Sequence, residues 1–87
     1  LVRNVSLCKW PQVGFGFRVA KQSFGTDDIY FICEVQPDSP ASFALQLGDI
    51  LIEIDDMNIN ERFSNLDEIN DYLNKKESLH LLAIHES

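Results

Sequence analysis

Cations, cysteines and long apolar runs are all scarce in this sequence of 87 residues. Seven lysines and arginines stand against 14 acidic residues, which gives a formal net charge of −7. Nucleic-acid binding relies on basic side chains that neutralise phosphates, and contact with an anionic membrane surface relies on a polybasic patch. The longest apolar runs are far too short to span a bilayer, and no basic-then-apolar leader is recognisable. We therefore expect no nucleic-acid partner and no direct membrane insertion.

The two cysteines, Cys8 and Cys33, are too few for a disulfide framework, which in so small a domain usually takes about four or more. We expect both thiols to be reduced, as in a cytoplasmic protein. A zinc site needs about four ligands at characteristic spacing, and the distant His80 and His85 do not provide it. We expect no metal and no cofactor.

Catalytic chemistry is also poorly represented. The two histidines lie on or after the last predicted strand, and no nucleophile signature or paired-carboxylate site accompanies them. We therefore expect a domain with no catalytic residues. Because the chain begins with leucine rather than methionine and has the length of one domain, we expect residues 1–87 to be a single domain excised from a larger multidomain protein.

The hydrophobic pattern predicts an α+β fold. The predicted order is three strands, a short helix, a strand, a short strand, a long helix and a last strand. The predicted strands cover residues 2–9, 15–20, 30–35, 50–54, 57–59 and 79–84, and the predicted helices cover 41–44 and 64–76. Residues 21–28, "KQSFGTDD", are expected to form a polar loop. We expect a small five- to six-stranded antiparallel β-barrel or sandwich capped by the two helices.

The stretch "QVGFGFRVA", residues 12–20, combines a strand pattern with two glycines. Phe15, Phe17 and Val19 alternate as a strand requires, whereas glycine weakens a strand. A dinucleotide-binding G-x-G-x-x-G motif is excluded, because Val19 occupies the third glycine position and no helix follows. Two interpretations stay open: a bulge in an ordinary strand, or a nest of backbone N–H groups that cradles an anion. The second would let an added peptide strand place its terminal carboxylate in the cradle.

Three motifs together resemble the PDZ domain family across essentially the whole chain. "GFGF" at 14–17 resembles the family's Gly-Leu-Gly-Phe carboxylate-binding loop, and "PDSPA" at 37–41 resembles its Pro-Gly-Ser-Pro-Ala turn. "LGDILIEIDDMNI" at 47–59 resembles the family's Gly-Asp-x-Ile-Leu segment and the turn after it. The sequence departs from the family pattern in having Asp55-Asp56 at the Asn-Gly turn and one residue fewer before this last motif.

The resemblance implies a non-catalytic module that binds the C-terminal peptide of another protein by β-strand addition. It implies that the N–H groups of Phe15, Gly16 and Phe17 hold the carboxylate, with Lys9 assisting through water. Glycine would be required in this loop because a Cβ atom there would block the close approach of the ligand and restrict the backbone dihedral angles. The implied groove residues are Gly14, Arg18, Val19, Ala20, Asn65, Leu66, Ile69, Asn70 and Leu73, with Phe31 and Cys33 as candidate contacts for upstream ligand residues.

The first residue of the long helix would set the ligand class, and its register has two solutions. If Asn65 caps the helix, Leu66 is the first residue, and Asn70 and Leu73 line the groove.

If Ser64 is the cap, Asn65 is first, and Ile69 and Tyr72 line the groove. We favour the Asn65 cap, because it turns apolar Ile69 and Tyr72 toward the core. Neither register supplies the histidine that in this family favours Ser or Thr two places before the ligand's end. We therefore predict hydrophobic-x-hydrophobic C-termini, with Ser/Thr-x-hydrophobic C-termini as the alternative.

Other functions compatible with the sequence are internal-motif binding or dimerisation through an edge strand, and a regulatory role within a larger signalling enzyme. The resemblance implies partners among the C-terminal tails of other proteins, including membrane receptors and channels. It also implies a cytoplasmic monomer, which such partners would bring to the inner face of the plasma membrane.

Overall fold

The computed structural model describes residues 1–86. Their strands form one open antiparallel sheet. Its strands are β1 (Val2–Cys8), β2 (Phe17–Phe24), β3 (Asp27–Val35), β4 (Ile50–Ile54), β5 (Met57–Asn58) and β6 (Ser78–Ile84). The helices are a 3-10 helix (Pro40–Phe43), α1 (Ile59–Arg62) and α2 (Leu66–Lys75). The strand order is β1-β6-β4-β3-β2, with β5 paired to β4. The predicted α+β sandwich is confirmed; the barrel alternative is wrong, because β1 and β2 form the two edges of the sheet and do not pair with each other.

The polar segment 21–28, expected as a loop, is mostly a hairpin. β2 continues to Phe24 and β3 begins at Asp27, so only Gly25 and Thr26 form the turn. Gly25 has φ +62°, a left-handed conformation that suits a two-residue hairpin turn. The expectation of a loop was wrong because exposed strands carry polar residues on both faces, which removes the alternation used to recognise them.

A second departure is the short helix α1, which begins at Ile59, where the return strand was expected to end. β5 ends at Asn58, and the Asn58 side chain accepts hydrogen bonds from the backbone N–H groups of Asn60 at 3.0 Å and Glu61 at 3.1 Å. This side chain is a helix N-cap. An asparagine that can cap a helix, at the end of the short strand, was the available sequence signal.

The core lies between the sheet and α2. The largest fully buried apolar side chains come from β3, β4, α2 and β6: Ile32, Leu51, Ile54, Ile69 and Leu81. Buried Asp49, just before β4, forms an ion pair with Arg3 at 3.3 Å, and its Oδ1 lies 2.6 Å from Nδ1 of His85. The core therefore fixes β2 and α2 side by side, with the groove between them at the surface.

Candidate functional site

The segment before β2 folds back on itself as a tight loop. The N–H of Trp10 donates to the carbonyl of Gly14 at 3.1 Å, and the N–H of Gly14 donates to the carbonyl of Trp10 at 2.9 Å. Gln12 and Gly14 both have positive φ, at 66° and 76°. This reciprocal pairing delays the start of β2 to Phe17, two residues later than the alternation predicts.

The next three peptide groups all have their carbonyls bonded inside the protein. The carbonyl of Gly14 accepts from Trp10, that of Phe15 accepts from Ala41 at 3.0 Å, and that of Gly16 accepts from Gln36 at 2.7 Å. A trans peptide group points its C=O and its N–H in opposite directions. The N–H groups of Phe15, Gly16 and Phe17, on the same three peptide groups, therefore face away from these internal partners.

Two of these N–H groups have no hydrogen-bond acceptor within residues 1–86: those of Phe15 and Gly16. The N–H of Phe17 points away from β3, because the bond from Gln36 to Gly16 makes the next pair, Phe17 with Val35, a non-hydrogen-bonded one. Successive free N–H groups in a loop form an anion-binding concavity. The loop therefore presents three backbone donors in an arrangement that suits an anion.

Gly16 is favoured by its backbone dihedral angles, as expected, and also by a contact that was not expected. With φ +85° it adopts a left-handed conformation, and a Cβ atom built on it would overlap the side chain of Ser39, which caps the 3-10 helix. The expectation that this Cβ would block the ligand is wrong, because it would point at Ser39. A Cβ on Gly14 would meet no atom within 4 Å, so only the positive φ favours glycine there.

The opposite wall of the groove is α2, and its register is the favoured one. Asn65 is the N-cap, with its side chain accepting from the N–H of Glu68 at 2.9 Å, and Leu66 is the first helical residue. Ile69, a groove residue only in the other register, is fully buried in the core. Tyr72 lies edge-on to Phe63, behind the groove.

A cavity of about 680 Å³ lies between the loop and the last turns of α2. The structure brings together seven of the residues expected in the site: Lys9, Gly14, Phe15, Gly16, Phe17, Asn70 and Leu73. Seven further residues line the same cavity: Trp10, Pro11, Gln12, Val13, Gln36, Asn74 and Glu77. Helical spacing from Asn70 could have found Asn74, whereas only the fold brings Gln36 and Glu77 there.

The remaining expected residues lie outside this cavity. Val19 is buried in the core at 4% exposure, and Asn65 acts as the helix cap. Exposed Arg18 lies 3.9 Å from Glu34 across the β2–β3 pair. Ala20 on β2, Phe31 on β3 and Leu66 on α2 are half-buried. Cys33 lies where the register of the β2–β3 pairing shifts.

Lys9 contacts both walls of the cavity. Its Nζ donates to the backbone carbonyl of Asn74 at 2.9 Å and lies 5.2 Å from the ring centroid of Phe15. Phe15 is only 6% exposed, and its ring centroid lies 6.2 Å from that of Phe17. The positive charge at this end of the cavity thus belongs to Lys9, whose ammonium group already donates a hydrogen bond to α2.

Behind the groove, Asp55 fixes α2 to the β4–β5 turn. Tyr72 donates to its Oδ2 at 2.5 Å, the N–H of His80 donates to its Oδ1 at 2.8 Å, and Lys76 lies 3.5 Å from Oδ2. Burial works to raise the pKa of Asp55, but these hydrogen bonds and the Lys76 charge outweigh it and lower that pKa. The hydrogen bond to Asp55, together with burial, raises the pKa of Tyr72 to about 12.

The described residues have no cluster of metal ligands, no disulfide and no helix that could span a membrane. Residues 1–86 contain no group of three or more His, Cys, Asp or Glu side chains placed to hold a metal ion. Cys8 and Cys33 are both unpaired and exposed. None of the helices in this range has the length and apolarity needed to cross a membrane.

Comparison with known proteins matches this architecture. The family model described as the PDZ domain matches residues 4–84. The crystal structure of Dlg1 PDZ2 from the choanoflagellate Monosiga brevicollis superimposes with a TM-score of 0.77 at 22% identity. The match covers 99% of this chain and 100% of the Dlg1 PDZ2 chain. The crystal structure of the N-terminal PDZ domain of InaD in complex with a NorpA C-terminal peptide has a TM-score of 0.75 at 22% identity, covering 95% of each chain. At such identity the two structures show the fold alone. No curated protein matches this chain.

Proposed function

We propose that this chain, which belongs to the PDZ domain family of peptide-binding interaction modules, binds the extreme C-terminus of partner proteins by β-strand addition. The ligand strand pairs with the open edge of β2 and lies against α2. Its carboxylate accepts hydrogen bonds from the N–H groups of Phe15, Gly16 and Phe17. No catalytic step is involved.

The observation that carries this proposal is the set of three outward-facing N–H groups beside an unpaired strand edge. The carbonyls of the same three peptide groups all accept hydrogen bonds within the protein, so the loop cannot turn its N–H donors inward without losing three hydrogen bonds. A carboxylate that accepts from fixed backbone donors forms charge-assisted bonds, which are roughly twice as strong as neutral ones. The main-chain edge of β2 supplies the remaining hydrogen bonds of an added strand.

The ligand class we propose is a hydrophobic-x-hydrophobic C-terminus. The last side chain enters the cavity beside Phe15, Phe17 and Leu73, which supply its apolar surface. Leu66 is the first residue of α2 and favours an apolar side chain two places before the ligand's end. It offers no hydrogen bond to the hydroxyl of Ser or Thr at that place.

The test is a titration with a hydrophobic-ended peptide and its C-terminally amidated twin, followed by backbone amide shifts. We expect a low-micromolar dissociation constant for the free acid, about −8 kcal/mol, and a large loss on amidation. Equal binding of the two peptides would contradict the carboxylate cradle. A peptide array in which Ser or Thr is preferred two places before the end would contradict the ligand class.

The same open β2 edge could pair with an internal segment or with a second copy of the chain. Amidation would not affect either mode, so the same pair of peptides separates them from C-terminal recognition. We propose a monomer, which sedimentation at increasing concentration tests. We also propose a cytoplasmic location, with the tails of membrane receptors or channels among the partners; a tagged copy of the protein in cells tests this.

A further inference from the structure

We infer that Lys9 is a positioning residue, which sets the width of the groove at its carboxylate end and thereby the size of the ligand's last side chain. This role differs from direct or water-mediated binding of the carboxylate. The inference rests on the proposed function, because it concerns how the same groove discriminates among C-termini.

Lys9 donates two hydrogen bonds to backbone carbonyls, one in the last turn of α2 and one just after it. Its backbone N–H donates to the carbonyl of Glu77 at 2.9 Å, and its Nζ donates to the carbonyl of Asn74 at 2.9 Å. Asn74 lies in the last turn of α2, where backbone carbonyls lack intrahelical partners. A cation is favoured there by the helix dipole as well. Lys9 therefore caps α2 from outside the helix.

The same ammonium group also lies against the wall of the cavity that the loop forms. Its distance of 5.2 Å to the Phe15 ring centroid is within the range of a cation–π interaction. Phe15 is buried and belongs to the loop wall, whereas Asn74 belongs to the helix wall. One side chain thus connects the two walls across the cavity that takes the ligand's last side chain.

The path along the chain from Lys9 to the N–H donors is short. Trp10 follows directly and pairs with Gly14, and the donor set begins at the next residue, Phe15. Lys9 therefore links the end of α2 to the cradle through a short stretch of chain. Without the Nζ contacts, the loop and the end of α2 lose a direct link, and the space between Phe15 and Leu73 is free to widen.

The positioning role and the carboxylate-binding role predict different losses. A lysine that binds the carboxylate contributes only when the ligand has one, whatever the size of the last side chain. A lysine that sets the groove width affects the choice between small and large last side chains, and it affects acid and amide alike. Two ratios, acid to amide and small to large, therefore separate the two roles.

The experiment compares Lys9→Met, which keeps an unbranched apolar stem but removes the charge and the donors, with Lys9→Arg, which keeps both. Lys75→Met is the matched control, because exposed Lys75 places the same charge in the same last turn of α2. Each variant is titrated with otherwise identical peptides ending in Val, Leu or Phe, as free acids and as amides. Amide hydrogen exchange of residues 73–76 reports on the α2 end in the unliganded protein.

For Lys9→Met we expect the preference to shift from Val toward Phe by about tenfold, a size effect typical of apolar pockets. We expect the acid-to-amide ratio to stay within about twofold of the parent and the α2 end to exchange faster. Lys9→Arg restores the parent size preference, and Lys75→Met leaves both ratios unchanged. A fall in the acid-to-amide ratio with unchanged size preference would overturn the inference, as would two unchanged ratios. If the parent itself does not distinguish acid from amide, the proposed function fails instead.

Discussion

The two walls of the groove are built from different parts of the chain. The loop wall offers main-chain N–H groups from Phe15, Gly16 and Phe17, held in place by three carbonyl hydrogen bonds. The helix wall offers side chains, with Asn70 and Leu73 at the cavity. In the proposed function, the main-chain cradle recognises the carboxylate that every C-terminus has, whereas side chains distinguish one C-terminus from another. We therefore expect damage to the loop wall to remove binding altogether and changes to the helix wall to redirect it.

The largest expected effect is on the loop wall. Gly16→Ala should lower the free energy of unfolding by about 3–5 kcal/mol, since the new Cβ overlaps Ser39 and the residue has positive φ. Gly14→Ala is the control, because its Cβ meets open space and only the strain of positive φ remains, of order 1 kcal/mol. Urea denaturation of both variants measures the difference. Equal losses would show that Ser39 is not the obstacle.

On the helix wall, Leu73→Ala should cost both stability and binding. Leu73 is only 9% exposed and also lines the cavity. The expected loss is about 2–4 kcal/mol in the free energy of unfolding, as for other core truncations, and affinity for apolar-ended peptides should fall with it. Thermal unfolding and calorimetric titration of the same preparation measure the two losses. Unchanged affinity in a folded variant would remove Leu73 from the groove.

A smaller effect is expected behind the helix wall. Tyr72→Phe should lower the free energy of unfolding by about 1–2 kcal/mol near neutral pH, because it removes a hydrogen bond to the Asp55 carboxylate. Folding raises the pKa of Tyr72 from 10.0 to about 12, so this contribution is complete below pH 10 and is lost as the pH rises toward 12.

The pKa of Asp55 moves the other way, below its usual 3.8. Its contribution is therefore present above pH 3.8 and is lost as the pH falls through the lowered pKa. Denaturation of the parent and the Phe variant across the pH range checks both limits. A difference in stability that persisted unchanged at pH 12 would contradict the assignment of the hydrogen bond.

The smallest expected change in stability comes from Asn70→Leu. Asn70 is exposed at the edge of the cavity, so the free energy of unfolding should stay within about 0.5 kcal/mol of the parent. Added apolar surface should raise affinity for hydrophobic-ended peptides a few-fold, by about 0.5–1 kcal/mol. Asp71→Leu, on the neighbouring exposed position outside the cavity, controls for a general gain in hydrophobicity. Equal gains in both variants would mean that Asn70 does not contact the ligand.

The sequence predicted those features that depend on neighbours along the chain. The apolar spacing of α2 favoured the register that is capped by Asn65 and buries Ile69, and the structure has this register. The glycine-containing loop was located because alternation and glycine conflict within a few residues. The hairpin at 21–28 was missed because exposed polar strands are stabilised by pairing with a partner, which local composition does not report.

The sequence by itself determined the loop and the apolar faces and favoured the correct helix cap, because each follows from conformational preferences of residues within about one helical turn or one strand pair. Only the tertiary structure decided what Gly16 and Lys9 contact. Ser39 lies in the turn before the 3-10 helix, and Asn74 lies 65 residues after Lys9. Such contacts depend on how the sheet brings distant segments together. Neither the contact of Gly16 with Ser39 nor the link between the two walls could therefore be derived from spacing alone.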